Sequence, residues 1–188
     1  MKKSWIILGV IGFVLLLSGG SCVSKYNQLV NLNESITAAW AQVENVLQRR
    51  NDLIPNLVNT VKGYAAHEKE IFENVANARA KLAGAKTINE KVTASGELDS
   101  ALSRLLLIVE RYPDLKANQN FLALQDELAG TENRIAVERQ RYNEVVRSYN
   151  VLVKSFPTNL MAKVAGFEVK EVYFKAAEGA KEVPDVKF

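Results

Sequence analysis

A repeat of seven residues constrains the fold of this chain more than any other feature of its sequence. Between residues 29 and 82, residues suited to a core recur every seven positions in two rows, and the phase does not slip. Two such rows are typical of the a and d seams of a coiled-coil-like helix. The rows are Leu29, Ile36, Val43, Arg50, Leu57, Tyr64, Ile71 and Ala78, and Asn33, Trp40, Leu47, Ile54, Val61, Glu68, Val75 and Leu82.

Pro55 lies within this run and leaves two interpretations open. A proline inside a helix removes a hydrogen bond and clashes with the preceding turn, which is compatible with one kinked helix of about 80 Å. Asp52 could instead cap a new helix, with Pro55 in its first turn, after a tight turn at Arg50–Asp52. The unbroken phase favours the kinked helix.

Further helices are predicted after Gly84, which stands in a C-terminal capping position. An amphipathic helix is expected over residues 98–109, and Tyr112-Pro113 ends it because the residue before a proline avoids helical angles. The clearest repeat predicts a helix over Lys116–Phe156, about 60 Å long. Its a row is Phe121, Leu128, Ile135, Tyr142, Tyr149 and Phe156, and its d row is Leu124, Thr131, Glu138, Val145 and Leu152.

Helices with one apolar stripe have to bury that stripe against one another. The sequence therefore predicts an all-α fold, an elongated antiparallel bundle of three or four long helices over residues 26–157. Trp40 is expected to fill a core layer. A tail over residues 158–188 carries a short amphipathic helix around Leu160–Phe167. Seams of this kind can self-associate, so homo-oligomers stay open.

Residues 1–25 are predicted to attach the chain to a membrane. Residues 4–24 carry no charge, and as a helix they would span about 31 Å, close to the thickness of a bilayer core. An uncleaved transmembrane helix is the favoured interpretation; the alternatives are a lipoprotein signal that ends at Cys22 and a plain cleaved signal peptide. Lys2 and Lys3 before the span favour a single-pass topology with the N-terminus inside the bacterial cytoplasmic membrane and the bundle outside.

Charge and composition exclude several classes of function. The lysines of residues 1–25 account for the whole net charge of +3, so the rest of the chain is balanced and a nucleic-acid partner is not expected. One cysteine and one histidine exclude a zinc ribbon and the two-histidine motif of zinc proteases. The sequence predicts no catalytic, cofactor-binding or metal-binding residue.

Polar residues interrupt the seams and are the candidate functional positions. Arg50 occupies an a position, whereas Glu68, Thr131 and Glu138 occupy d positions. Arg134 and Arg139 lie close enough to Glu138 to pair with it. A polar core layer that fixes the helix register is the favoured interpretation. A functional polar cleft and outward-reaching side chains are the alternatives. Cys22 is the candidate for lipidation.

Several motifs follow one another in a fixed order along the chain. They are YNxLV from Tyr26, Ala39-Trp40, RRNDLIPNLV from Arg49, VKGYAAHE from Val61, YPDLKANQNF from Tyr112, GTENRI from Gly130, RYN from Arg141 and SFP from Ser155. Together they resemble the signature of the bacterial LemA family over about Tyr26–Ala176. The resemblance implies a membrane-attached, all-helical bundle outside the cytoplasmic membrane, and it implies no catalytic residues. Cys22 departs from the pattern of a plain anchor.

We therefore expect a non-enzymatic protein of the bacterial envelope that needs no cofactor. Its partners would be the lipid bilayer and other envelope proteins, which the bundle binds or organises. One alternative is an accessory subunit or hydrolase of envelope metabolism, in which Glu68 and Glu138 act as a carboxylate pair within about 10 Å of each other. Another is a lipid-surface protein that uses Leu160–Phe167.

Overall fold

The computed structural model describes residues 2–174, apart from the side chains of residues 2–19 and 21. That part of the chain is helical and contains no strand, which confirms the predicted all-helical class. The helices are α1 (Lys2–Lys62), α2 (Lys69–Gly84), α3 (Ile88–Val109), α4 (Pro113–Lys116), α5 (Gln119–Lys154) and α6 (Thr158–Val164).

The described residues divide into two compact units. Unit 1 contains residues 2–40 and 141–171, and unit 2 contains residues 41–140 and 172–174. Helices α1 and α5 therefore contribute residues to both units, whereas α2, α3 and α4 belong to unit 2 and α6 belongs to unit 1.

Contacts within unit 2 give the directions of its four long helices. Helices α1 and α2 are antiparallel, because Lys62 lies 5.4 Å from the Phe72 ring while Arg79 reaches Asn51. Helix α3 is parallel to α1 and antiparallel to α5. Four pairs fix these directions: Lys91 with Glu44, Arg50 with Asp99, Arg50 with Glu132, and Arg139 with Ser95. The antiparallel bundle expected from the seams is thus present within this unit.

Helix α1 runs through Pro55, so the tight turn at Arg50–Asp52 is wrong, and it ends at Lys62, so the favoured single helix is shorter than expected. It continues through Arg50–Asp52 without a turn, and it does not reach Gly84. The break falls at residues 63–68, where glycine is a weak helix former and Ala65 turns inward to become 1% exposed. Two seam positions therefore leave the repeat, because Tyr64 is exposed and Glu68 precedes α2.

A side chain from α2 compensates for the proline inside α1. Proline has no N–H, so Pro55 cannot donate to the carbonyl of Asn51 one turn earlier. Arg79 Nε donates to that carbonyl oxygen instead, at 3.2 Å. A buried carbonyl without a donor is costly, and this bond therefore couples α1 to α2.

Replacing Arg79 by methionine is expected to lower the free energy of unfolding by about 1 kcal/mol, because the Asn51 carbonyl loses its donor. In a Pro55→Ala background the loss should be much smaller, since the alanine N–H restores the helical bond. Guanidinium unfolding of the four proteins measures this coupling. Lys81→Met, on the same helix and in an exposed ion pair with Glu97, is the control and should cost the same in both backgrounds. An Arg79→Met cost that is equal in both backgrounds would contradict the assignment.

A capping box starts α3. The Thr87 side chain accepts a hydrogen bond from the Glu90 N–H at 3.2 Å, and Glu90 Oε2 accepts from the backbone N–H groups of Lys86 and Thr87 at 2.8 and 3.1 Å. These bonds favour the ionised carboxylate, so they hold the pKa of Glu90 below its ordinary value. The capping box fixes the start of α3 directly after the short connection from α2.

The contribution of the Glu90 charge should depend on pH. A lowered pKa in the folded protein stabilises the fold above the unfolded pKa of about 4.5, and this stabilisation is lost as the pH falls through the folded pKa. Glu90→Gln keeps an oxygen for the same N–H groups and removes only the charge. We expect a melting temperature below that of the parent at pH 7 and a difference that shrinks as the pH falls below about 4.5. A difference independent of pH would contradict this prediction.

Helix α5 is shorter than the helix predicted over Lys116–Phe156. It begins at Gln119, where the Asn118 side chain accepts a hydrogen bond from the Phe121 N–H at 3.0 Å, and it ends at Lys154. Phe156, expected in a core row, is 82% exposed. The predicted seam therefore ends at Tyr149, which is buried.

Helix α6 lies slightly earlier than the predicted piece around Leu160–Phe167. It ends in a Schellman motif, in which Gly166 N–H donates to the Lys163 carbonyl and Phe167 N–H donates to the Ala162 carbonyl. Gly166 has a φ of +76°, a conformation that favours glycine. This turn directs Phe167 to the ring of Tyr26, with the ring centroids 5.8 Å apart.

The predicted membrane anchor is residues 1–25, and most of its side chains, those of residues 1–19 and 21, lie outside the described part of the chain. Among the residues that the structure describes, no helix has a stretch both long and apolar enough to cross a bilayer.

Candidate functional site

The main charged cluster of unit 2 surrounds Arg50. We define the Arg50 cluster as Arg50 on α1, Asp99 on α3 and Glu132 on α5. The Arg50 side chain is only 9% exposed, whereas those of Asp99 and Glu132 are 33% and 45% exposed. Both carboxylates contact the same guanidinium nitrogen, Nη1, with Glu132 Oε2 at 2.6 Å. Three helices thus meet at one buried positive charge.

Hydrogen bonding in the Arg50 cluster is incomplete. Asp99 Oδ1 accepts a hydrogen bond from Arg50. Glu132 Oε2 forms an ion pair with Arg50 but accepts no hydrogen bond, and Arg50 Nε has no hydrogen-bond partner. A buried polar atom without a hydrogen-bond partner lowers the stability of the fold. The cluster borders a cleft of about 350 Å³, whose walls include Leu57, Leu102, Leu106, Leu128, Ser103 and Gln125. The cleft thus combines mainly apolar walls with the charged groups of the Arg50 cluster.

Glu68 is the centre of a second group of polar side chains in unit 2. Its Oε1 accepts hydrogen bonds from Arg111 Nη2 at 2.8 Å and from the Tyr112 hydroxyl at 3.3 Å. Beside it, Asn118 donates to the Tyr64 hydroxyl at 2.9 Å. These bonds tie the turn between α1 and α2 to the segment around α4.

The remaining candidates differ in burial and in contacts. Thr131 is buried, and its hydroxyl donates to the Leu128 carbonyl at 2.8 Å, so it is satisfied within its own helix. Arg134 is exposed and Glu138 is half-buried. Cys22 is an exposed free thiol on α1. The structural or functional roles of these residues stay predictions.

Glu68 and Glu138 do not form the carboxylate pair that the hydrolase alternative requires. Glu68 binds Arg111, which follows the end of α3, whereas Arg139, next to Glu138, binds Ser95 in the first half of α3. The stretch of α3 from Ser95 to its end spans about 20 Å, twice the separation that the chemistry allows. Within the described residues, no group of three or more His, Cys, Asp or Glu side chains could hold a metal ion.

Sequence reasoning missed the partners of the candidates rather than the candidates themselves. Asp99 and Glu132 occupy no seam position, and they were found only through the buried charge that they neutralise. Arg139 was expected beside Glu138, and it also donates to the buried Ser95 hydroxyl at 2.6 Å. A buried arginine predicts facing carboxylates, but only the helix pairing determines which ones.

Four of the eight motifs noted in the sequence meet in two pairs. RRNDLIPNLV supplies Arg50 and GTENRI supplies Glu132, whereas VKGYAAHE supplies Glu68 and YPDLKANQNF supplies Tyr112. The LemA family model matches residues 39–188, which is most of the chain. The chain belongs to the LemA family. These four LemA motifs thus contribute side-chain contacts within unit 2.

Curated relatives of this LemA-family chain carry two names. Magnetosome protein MamQ 2 of Paramagnetospirillum magneticum is 26% identical over 202 residues, covering 92% of this chain and 71% of the relative. Magnetosome protein MamQ of Magnetospirillum gryphiswaldense is 26% identical over 199 residues with the same coverage. Protein LemA of Metamycoplasma hominis is 26% identical over 157 residues, covering 80% of this chain and 72% of the relative.

Proposed function

We propose that this protein is anchored in the bacterial cytoplasmic membrane by its N-terminal segment and binds or organises other envelope proteins through its helical part, without catalysis. The topology is single-pass, with the N-terminus inside and the helices outside. The observation that carries the proposal is the continuity of α1, which runs from Lys2 to Lys62. The same helix thus contains the uncharged residues 4–24 and the first core residues of unit 1.

The names of the relatives support a role without catalysis. Two of them are named as magnetosome proteins, which refers to where they belong and not to a reaction that they catalyse. The separation of Glu68 from Glu138 argues against the hydrolase alternative, which needs the two carboxylates close together. The cleft beside the Arg50 cluster offers a place for an amphipathic segment of a partner protein.

Intact mass and membrane partition of the protein from its native host test the anchor. We expect a mass that retains residues 1–21, found in the membrane fraction, and a helical part that external protease digests in spheroplasts. A mass that corresponds to a chain beginning at a diacylated Cys22 would show that a lipid, and not a spanning helix, holds the protein at the membrane. A cleaved protein in the soluble fraction without lipid would overturn the proposal.

Photocrosslinking in cells tests the binding role. A photoreactive residue at Ser103, an exposed position at the cleft, should give discrete adducts with envelope proteins. The matched control is Leu107, which is 71% exposed on the same helix and does not line the cleft. Absence of adducts from position 103, or equal and diffuse adducts from both positions, would contradict binding at this cleft.

A further inference from the structure

Helix α6 has apolar residues on the side that faces solvent. Thr158 and Ala162 are buried, whereas Leu160 and Val164, on the opposite side, are 61% and 91% exposed. Phe156, just before the helix, is 82% exposed. A surface helix of a globular protein normally turns polar side chains outward, so a contiguous group of large apolar residues indicates a contact surface.

The charged residues of the segment that carries this surface have one sign. The segment from Lys154 to Phe167 contains Lys154 and Lys163 and no acidic residue. Both lysines are exposed. Apolar residues combined with lysines are typical of helices that lie at the surface of a membrane with anionic lipids. We refer to Phe156, Leu160 and Val164, with these two lysines, as the α6 face.

A contact between two aromatic rings places Phe167, which follows α6, beside Tyr26 on α1. Phe167 follows the Schellman motif and packs edge to face on Tyr26, with an interplanar angle of 64°. Tyr26 comes two residues after the uncharged segment, which is about 3 Å of helix. If that segment spans the bilayer, Tyr26 and Phe167 lie at the level of the lipid headgroups, where aromatic side chains are enriched.

We propose that the α6 face docks on the headgroup layer of the membrane that holds residues 4–24, with a preference for anionic lipid. This inference rests on the proposed function, because the anchor sets the position of Tyr26. The apolar side chains enter the boundary between headgroups and acyl chains, while Lys154 and Lys163 contact anionic headgroups. A second copy of the chain is a poorer occupant, since a two-fold contact would bring like-charged lysines together.

Spin-label accessibility in proteoliposomes tests this docking with the full chain. The label is attached to Leu160→Cys in a Cys22→Ser background, in vesicles of mixed anionic and zwitterionic lipid. Val151→Cys is the matched control, because Val151 is 58% exposed in the same unit and lies outside the basic segment. A label at Val14→Cys reports on the anchor itself. Collisions with oxygen indicate lipid, and collisions with a water-soluble nickel complex indicate solvent.

We expect the ratio of oxygen to nickel accessibility to be several-fold higher at position 160 than at position 151. The ratio at position 160 should fall in purely zwitterionic vesicles or with Lys163→Glu, and no change in either would overturn the role of the lysines. Equal ratios at positions 160 and 151, with position 14 in lipid, would overturn the docking and leave the anchor intact. Solvent exposure at position 14 would overturn both. Dipolar broadening between labels at position 160 would identify a second copy as the occupant and overturn the proposal.

Discussion

Replacing Arg50 by methionine is expected to lower the free energy of unfolding by about 3 kcal/mol, at the lower end of the cost of breaking a buried ion pair. Methionine keeps the length of the side chain and removes the charge. Asp99 and Glu132 would then face each other without the guanidinium that both contact. Their partial exposure lets water screen some of the repulsion, which is why the lower end of the range applies.

The neighbouring arginine provides the matched control. Arg49 is 57% exposed and pairs with Glu127 at 3.3 Å, so Arg49→Met should cost less than about 1 kcal/mol. Guanidinium unfolding of the full chain in mild detergent, followed by far-UV circular dichroism, compares the two variants. Adding Asp99→Asn and Glu132→Gln to Arg50→Met should recover much of the loss. Equal costs for Arg49→Met and Arg50→Met would show that the Arg50 cluster does not stabilise unit 2.

Replacing Asn150 by alanine is expected to cost about 2 kcal/mol of stability, because two hydrogen bonds to the backbone of one residue are lost together. The buried Asn150 side chain donates to the Lys170 carbonyl at 2.7 Å and accepts from the Lys170 N–H at 2.8 Å. These bonds hold the extended segment after α6 against α5. Lys170 is exposed, so water replaces part of what is lost.

Trypsin gives this prediction a second readout. Cleavage after Lys170 should accelerate in Asn150→Ala, since the segment is released from α5. Asn133→Ala is the control, because Asn133 is exposed on the same helix and gains the same helix propensity. An acceleration in both variants, or in neither, would show that the side chain of Asn150 does not hold the segment.

The seams predicted most of the core because burial follows the helical repeat. Leu29, Ile36, Val43 and Leu57 are buried on α1, as are Phe121, Ile135 and Tyr142 on α5. Trp40 also lies in the core, with its ring 5.7 Å from that of Tyr142. These positions were predictable from spacing alone, because one stripe of each helix has to face its neighbours.

The seam prediction fails where several neighbours surround one helix. On α5 the repeat assigned Val145 and Leu152 to the core. Their neighbours Val146 and Val153 are buried instead, whereas Val145 and Leu152 are only partly buried. Asn150 is buried here too, because the segment after α6 packs on this side of α5. A repeat of seven describes a two-helix seam, and it cannot anticipate a third contact from a segment without a repeat.

The partners of the candidate residues were beyond the sequence for a different reason. Arg50 could be recognised as a charge in a core row, but Asp99 lies on another helix and Glu132 on a third. The sequence shows which residue needs compensation, whereas the direction and pairing of the helices decide which residue provides it. The same holds for Pro55, whose missing N–H is visible in the sequence and whose substitute, Arg79, is not.

Arg79 supplies the hydrogen bond that Pro55 cannot donate, and this also sets the order in which the hydrogen bonds of α1 are completed during synthesis on the ribosome. The Asn51 carbonyl is completed by a residue 28 positions later in the chain. At about 5–20 residues per second, α1 waits on the order of seconds for that donor while it is translated. During this interval water has to serve the carbonyl, and α1 has a weak point in its hydrogen-bond ladder. The smallest nascent fragment that closes this ladder therefore contains α2 as well as α1.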